Sequence, residues 1–305
     1  PRAKASTQEK SFAAAATVKK RSINFTPAVL SETLRRSERG REQSMKIIVF
    51  VKQIPDTNDV KLDPKTGNLR RDGVKSRINP NDLNVIETAM ELKRAHGAQV
   101  CAVTMGPPQA KTVLLKALAL GCDEAYLLSD RAFGGADSLA TAYTLSKAAE
   151  KIGGCDLLLT GRNSDDGDTA QVGAAIAAFL NIPQVTMTTA LEVKDGTAYC
   201  SRTLEDRVEK LSVKLPALAA VTKDINTPDF ARPVNIFSAL DKPITVLDAA
   251  ALGADTAQSG TAGSPSRTKK VFEPKKEKAA TRYFTGTPGE MAAQIADVLF
   301  DEQMI

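Results

Sequence analysis

Residues 155–180, CDLLLTGRNSDDGDTAQVGAAIAAFL, carry the clearest indication of the fold. An apolar run, Leu157–Thr160, leads into a loop rich in Gly, Arg and Asp, and an Ala-rich segment predicts a helix over Thr169–Leu180. Open parallel sheets bind nucleotides at the carboxyl ends of their strands, beside helix N-termini. We therefore expect free N–H groups at residues 169–171, together with the Thr169 hydroxyl, to favour a phosphate.

The acidic residues of the same loop allow other interpretations. Asp165, Asp166 and Asp168 would repel a phosphate, and they fit better as ribose acceptors, helix N-caps or partners of Arg162. An ordinary Asp-capped loop without a ligand is the structural alternative. The sequence contains neither G-x-G-x-x-G nor G-x-x-x-x-G-K-[ST], which argues against a standard dinucleotide fingerprint and against P-loop phosphoryl transfer.

Strands and helices alternate on both sides of this stretch, from Met45 onward. Apolar runs at 47–51, 100–105 and 124–128 predict buried strands, and segments 82–94, 109–120 and 138–151 predict helices. This alternation predicts a three-layer α/β/α fold with a mostly parallel sheet. Residues 191–194, 197–204 and 208–214 predict a small β-meander, and 218–222 one more buried strand. Thr287, Pro288 and Glu290 predict the capped start of a final amphipathic helix.

Charge and composition divide the chain into three parts. Residues 1–44 hold ten Lys/Arg and four Asp/Glu, whereas the rest of the chain holds 31 and 32. We expect 1–44 to be a mostly irregular leader, 45–240 a nucleotide-binding α/β domain, and 241–305 an extended C-terminal arm with a helix. The near-neutral body does not indicate nucleic-acid binding, and no apolar run is long enough to span a membrane. We expect a cytoplasmic protein, or a mitochondrial matrix protein if the leader is a transit peptide.

The cysteines and the single histidine show no metal-binding pattern. Cys101, Cys122, Cys155 and Cys200 form no C-x-x-C pair, and His96 is not close to any of them in sequence. We predict buried, reduced thiols and no metal ligand.

Further loops are expected at the same edge of the sheet. VKQIPD (51–56) and MGPPQ (105–109) follow predicted strands, and INPNDLN (78–84) leads into a helix that Asn81 or Asp82 could cap. Alone, each is an ordinary turn. Together they place polar, backbone-rich loops where a nucleotide would lie.

The order and spacing of these segments resemble the β-subunit family of electron transfer flavoproteins, over about residues 45–300. The resemblance rests on MKIIVFVKQIPDT (45–57), LDPKTGNLRRDG (62–73), INPND (78–82), TMGPPQA (104–110), ALALGCDEAYLL (117–128), GRNSDDGDTAQVG (161–173) and RTLEDRVEKLSVKLPALAAVT (202–222). Arg207 departs from the pattern, because an acidic residue or Gly is usual there.

The resemblance implies a heterodimer with a homologous α-subunit that carries FAD, and a partner that is a flavin-dependent dehydrogenase of acyl-CoA or hydroxy-acid type. In one branch of the family the β-subunit holds AMP. In the electron-bifurcating branch it holds a second FAD, which takes hydride from NADH. Residues 166–173, DGDTAQVG, resemble the FAD branch, whereas the AMP branch reads DDDCNQTG.

We expect FAD rather than AMP in this subunit, with NAD(H) as electron donor and electron bifurcation as the function. The small residues Gly167 and Ala170 would let a pyrophosphate and ribityl chain approach the backbone. No general acid or base is expected, since the flavin supplies the hydride chemistry. A simple electron carrier with structural AMP and a non-redox nucleotide-binding regulator are the alternatives.

The expected cofactor-binding residues close adjacent strands of one sheet. They are Phe50 under the adenine, Asn79, Asp82, Met105, Phe133, Gly134, Arg162, Asp166, Gly167, Asp168, Thr169, Ala170, Gln171 and Val172. Phe133 and Gly134 would lie against an isoalloxazine or nicotinamide ring, unless they belong to a plain Gly-rich loop before a helix capped by Asp137. The resemblance also implies a docking segment for partner dehydrogenases, with Pro228, Phe230, Arg232, Pro233 and Ile236.

Overall fold

The computed structural model describes residues 21–22, 45–56, 75–266 and 281–304. The LDPKTGNLRRDG segment, most of the basic leader and the part of the predicted arm at 267–280 lie outside the described residues. The chain divides into two compact units, one made of residues 1–61 and 69–269 and the other of 62–68 and 270–305. The predicted site and docking residues all belong to the first unit.

A mixed sheet forms the centre of the first unit. Its strands are β1 (Arg21–Ser22), β2 (Lys46–Phe50), β5 (Gln99–Met105), β6 (Glu124–Leu128), β7 (Leu157–Gly161), β8 (Gln184–Lys194), β9 (Thr197–Thr203), β10 (Val208–Lys214), β11 (Ala217–Val221) and β12 (Ile244–Leu247). They lie in the order β1-β10-β9-β8-β11-β7-β2-β5-β6-β12. The run from β8 to β12 in this order is parallel, and β8, β9 and β10 form the predicted antiparallel meander. β3 (Gln53–Pro55) and β4 (Ser76–Ile78) form a separate antiparallel pair.

Helices cover both faces of this sheet, which confirms the three-layer α/β/α prediction. One face carries α1 (Pro80–His96), α2 (Lys111–Leu120) and α5 (Pro233–Leu240), and the other carries α3 (Ser138–Ile152), α4 (Val172–Leu180) and α6 (Ala249–Leu252). Alternate residues of β2 enter the two cores, Ile47 and Val49 on one side and Ile48 and Phe50 on the other. Burial on both faces explains why these strands read as continuous apolar runs.

Two helices begin at positions that differ from the prediction. α1 begins at Pro80, so Asn79 is the N-cap residue rather than Asn81 or Asp82. α4 begins at Val172, three residues later than predicted, because Asp168 (φ 45°) and Ala170 (φ 53°) lie in the left-handed region and interrupt the helix. The free helical N–H groups therefore start at residue 172 instead of residue 169.

The sheet also extends further along the chain than the predicted domain end at residue 240. β12 pairs in parallel with β6, from Ile244 opposite Ala125 to Leu247 opposite Leu128. Its four residues lie between Pro243 and the α6 cap Asp248, a run too short to stand out in a Pro- and Gly-rich region. In the second unit, α7 (Pro288–Asp301) has the predicted capping box between Thr287 and Glu290.

Candidate nucleotide site

Three neighbouring strands bring the predicted loops to one edge of the sheet. β2 lies between β7 and β5, and all three are parallel, so their carboxyl ends meet at the same edge. Lys52 follows β2, Met105 ends β5, and Arg162 follows β7. The predicted juxtaposition of these loops is therefore present in the structure.

The N-terminus of α1 holds the loop that follows β7. The Asn79 side-chain amide donates to the Asn163 carbonyl at 3.0 Å, and Asn81 Nδ2 donates to the Asn163 side-chain oxygen at 2.9 Å. The backbone N–H of Asp165 donates to Asn79 Oδ1 at 3.2 Å. The two asparagines that the sequence suggested as helix caps or ligand contacts thus fix the shape of the loop.

Asp82 is a buried carboxyl group at the centre of this arrangement. It accepts the Lys52 backbone N–H at 2.7 Å and the Asn79 amide at 2.9 Å. Burial raises the pKa of Asp82 to about 7, and these two hydrogen bonds only partly oppose the shift. A β-carbon on Gly161 would lie 2.8 Å from Asp82 Oδ1, so the close approach of α1 to β7 requires glycine there.

The acidic loop residues have partners other than the predicted Arg162. Lys52 Nζ lies 2.7 Å from Asp166 Oδ1 and 3.2 Å from Ser164 Oγ. Asp165 lies 3.5 Å from Arg77, and Asp168 accepts a hydrogen bond from the Asn163 side chain. Burial disfavours the charge on Asp166, but hydrogen bonds from Lys52 and Ser164 outweigh it and hold its pKa below the ordinary value. These pairings reduce the repulsion that the three carboxylates would exert on a phosphate.

The loop from 165 to 171 and the start of α4 have the properties that an anionic ligand needs. Residues 165–171 are exposed, and Asp168 and Ala170 adopt left-handed backbone conformations. Gln171, the N-cap residue, makes no side-chain hydrogen bond to the first turn of α4, whereas Asp137 caps α3 through Leu139 and Ala140. Uncapped N–H groups at a helix start favour an anion. The residues present therefore fit the phosphate-bearing part of an adenine nucleotide.

Two predicted ligand contacts are buried instead. Phe50 and Phe133 are 6% and 5% exposed, and both pack in the core beneath α3, α4 and α6. In the loop that contains Phe133, the residues Arg131, Gly134 and Gly135 are exposed, and Asp137 caps the following helix, as in the alternative of a plain Gly-rich loop. A core role explains both rings without a ligand.

The sequence alone did not identify three residues that shape this edge. Lys52, Asn163 and Ser164 make the contacts that close the loop after β7. Their positions directly after two buried strands were the available signal, since ligand-facing side chains in parallel sheets follow strand ends.

The predicted docking segment presents an apolar outer surface. Phe230 is 92% exposed, Phe237 is 71% exposed, and Val234, Ile236 and Leu240 are exposed as well. On α5 only Ala239 is buried. A short helix with its apolar residues directed outward is typical of a protein interaction surface.

The four cysteines are buried and reduced. Burial raises the pKa of Cys200 to about 11 and that of Cys122 to about 12, so their thiols are unreactive near neutral pH. In the described ranges, no three His, Cys, Asp or Glu side chains are grouped as a metal site would need. No helix in those ranges combines the length and the apolar character that crossing a membrane requires.

Comparison with known proteins gives the family. The model of the electron transfer flavoprotein domain matches residues 66–252. Subunit CarD of the caffeyl-CoA reductase-Etf complex of Acetobacterium woodii is 42% identical over 86% of this chain and 100% of its own length. The electron transfer flavoprotein subunit beta of Clostridium acetobutylicum is 43% identical, and the acryloyl-CoA reductase electron transfer subunit gamma of Anaerotignum propionicum 37%, each over 86% of this chain and its own full length. The chain therefore belongs to the β-subunit family of electron transfer flavoproteins and is an electron-transfer subunit.

Proposed function

We propose that this subunit binds FAD at the edge formed by β2, β5 and β7, accepts electrons from NADH and takes part in electron bifurcation. When bound, the flavin would supply the hydride and electron chemistry. The protein's own residues would hold and orient it: the first turn of α4 would bind the pyrophosphate through backbone N–H groups, and the loop 166–171 would border it. Family membership argues against the alternative of a non-redox regulator.

The observation that carries the choice of FAD over AMP is the backbone of the loop before α4. Even a β-carbon at Gly167 would make only ordinary contacts, with Ser164 Oγ at 3.5 Å and Lys52 Nζ at 3.9 Å as the nearest atoms. Ala170 follows in a left-handed conformation, and no side chain caps the helix start. Small side chains and free N–H groups leave room for a ligand that continues beyond its first phosphate. The relatives named as subunits of caffeyl-CoA and acryloyl-CoA reductase systems support a redox role for this subunit.

The test is the cofactor content of the purified αβ heterodimer. We expect two flavins per heterodimer, determined by absorbance after denaturation, and no AMP in the released nucleotides. One FAD and one AMP would show instead a simple electron carrier. NADH should reduce the two-flavin protein, and NADPH serves as the control donor.

We also propose a flavin-dependent dehydrogenase of acyl-CoA or hydroxy-acid type as the redox partner, docking on the segment from Pro228 to Leu240. Exposed apolar side chains there carry this proposal, and prolines at 228 and 233 reduce the entropy lost on binding. We expect Phe230→Ala and Ile236→Ala to raise the KM for such a dehydrogenase, whereas Ser238→Ala, an exposed polar control on the same helix, should not. Unchanged KM values in both apolar variants would exclude this docking role.

A cytoplasmic location is part of the proposal. The relatives are bacterial proteins, so the mitochondrial alternative is not supported. Expression of a tagged chain and fractionation of the host cells would test the location.

A further inference from the structure

The chain between β11 and α5 has no regular secondary structure of its own. Residues 222–232 connect the two elements, and Phe230 projects into solvent near the end of this connection. The far end of the docking segment is fixed by Ala239, which is buried between α5 and the core beside α2. A docking surface at the end of an irregular connection binds well only if its near end is fixed too, because ordering a loose loop costs binding free energy.

A reciprocal amide pair joins this connection to α1. Asn84 Nδ2 donates to the Asn226 carbonyl at 2.9 Å and to Asn226 Oδ1 at 3.0 Å. In return, Asn226 Nδ2 donates to Thr88 Oγ1 at 2.9 Å and to the Asn84 carbonyl at 3.2 Å. Asn84 also reaches the Lys223 carbonyl at 3.2 Å. Both asparagines thus act as donor and acceptor in one network.

A second contact lies one turn further along α1. Glu87 Oε2 accepts the backbone N–H of Asp229, the residue before Phe230, at 3.3 Å. Its other oxygen pairs with Arg94 at 2.7 Å, which fixes the carboxylate. The connection is therefore held at Asn226, two residues before the docking segment, and at Asp229, directly beside Phe230.

The hydrogen bonds to the connection explain why α1 buries three polar side chains. Asn84, Glu87 and Thr88 are all at least nine-tenths buried, and burying polar groups is unfavourable unless they are hydrogen-bonded. Apolar side chains would fill the same helix–core interface. The polar groups are instead satisfied by the chain at 223–229.

We propose that Asn84, Glu87 and Thr88 are positioning residues for partner docking, which act through Asn226 and Asp229. The inference rests on the docking role proposed above. Without the network, the segment 227–232 would be mobile, and part of the partner's binding free energy would be spent on ordering it.

The test uses the αβ heterodimer with Asn226→Ala and Thr88→Ala, and Thr144→Ala as a matched control. Thr144 is likewise a buried helical threonine whose hydroxyl bonds to the carbonyl four residues earlier, but on α3. Turnover is measured with a flavin-dependent acyl-CoA dehydrogenase that exchanges electrons with the wild-type heterodimer, in either direction. Hydrogen exchange is measured for amides 227–240.

We expect Asn226→Ala, which removes three side-chain hydrogen bonds, to raise the KM for the dehydrogenase about tenfold, which corresponds to about 1.4 kcal/mol, with kcat and flavin content unchanged. Exchange at 227–232 should become at least about tenfold faster. Thr88→Ala should act in the same direction, and Thr144→Ala should change stability alone. Unchanged exchange, or faster exchange with unchanged KM, overturns the inference. If Phe230→Ala raises the KM and Asn226→Ala does not, the docking role stands and the positioning role of the α1 residues fails. If neither variant raises the KM, the docking role itself fails.

Discussion

At the scale of single residues, Gly167 is the position where the proposed path of the ligand past the loop before α4 can be tested. Its backbone lies outside the left-handed region, and a β-carbon there would make only ordinary contacts. A larger residue at 167 should therefore leave the protein folded. This makes the position suited to testing the ligand without disturbing the fold.

We predict that Gly167→Asp in the αβ heterodimer loses one of two flavins and all NADH oxidation, while the flavin of the α-subunit stays bound. Two negative charges about 4 Å apart repel by roughly 4 kcal/mol at an effective dielectric of about 20, enough to weaken binding several hundredfold. Flavin content and NADH oxidation are the measurements. Gly167→Asn adds similar bulk without charge, and should retain more flavin than the aspartate variant. Two flavins in Gly167→Asp would contradict the assigned path.

Asp82 gives a second residue-scale prediction, concerning pH. Its pKa in the folded protein is about 7, above the ordinary value of 3.8, because the carboxyl group is buried. Between these values the folded chain keeps a proton that the unfolded chain has released, so stability falls as pH rises through this window. Since one pKa unit corresponds to about 1.4 kcal/mol, the loss can reach roughly 4 kcal/mol above pH 7.

The Asp82→Asn variant lacks this ionisation. We therefore expect the difference in free energy of unfolding, wild type minus variant, to fall steadily from about pH 4 to pH 7, then level off. Urea unfolding of the ligand-free protein at several pH values measures it. A difference that stays constant across this range would show that Asp82 titrates normally.

At the scale of elements, α4 packs very close to the sheet, and Gly173 allows it. A β-carbon on Gly173 would lie 2.6 Å from Thr160 Oγ1 and 3.5 Å from Leu218 Cδ2. The Thr160 hydroxyl is buried and makes no hydrogen bond in the structure. The start of α4, which is proposed to bind the pyrophosphate, is thus fixed by a glycine–threonine contact.

We expect Gly173→Ala to lower the free energy of unfolding by up to about 2 kcal/mol, because overpacking strain of about 1–3 kcal/mol is offset by only roughly 1 kcal/mol of helix propensity. Thr160→Ala in the same chain should recover most of the loss, since it removes the clashing hydroxyl. A double-mutant cycle by chemical denaturation measures the coupling. Strictly additive effects would mean that the helix shifts without touching Thr160.

The element scale also shows what can be predicted from the sequence. The strands predicted at 124–128 and 208–214 have the observed bounds, because apolar residues that face the core of a sheet leave a plain pattern in the sequence. The predicted start of α4 is too early, since Asp168 and Ala170 adopt left-handed backbones, which are uncommon for residues other than glycine and rare for alanine. Phe133 is predicted to contact a ligand, yet its side chain is buried in the core. The sequence alone does not show whether a side chain in a loop turns toward the core or toward a ligand. The roles of Lys52 and Asn163 depend on contacts between loops that are distant in sequence.

At the scale of the whole molecule, the charge is unevenly distributed along the chain. The formal net charge is +5, but residues 1–44 carry ten Lys/Arg and four Asp/Glu, and the remaining 261 residues carry 31 and 32. Within the leader, Arg21–Ser22 pairs in parallel with Leu211–Ser212 at the edge of the sheet. The predicted nucleotide and docking residues all lie after residue 44. The leader should therefore affect how the protein interacts with charged surfaces rather than its cofactor chemistry.

Deletion of residues 1–44 tests this separation. On a cation exchanger at pH 7 and low salt, the heterodimer with the truncated chain should elute well before the full-length form, because six net positive charges are removed. Flavin content and NADH oxidation should be unchanged. The melting temperature should fall by only a few degrees, since the two-residue pairing at β10 provides few hydrogen bonds, each worth about 1 kcal/mol or about 2–4 °C. Loss of flavin from the truncated heterodimer would show that the leader contributes to the nucleotide site, and the boundary at residue 45 would then have to be abandoned.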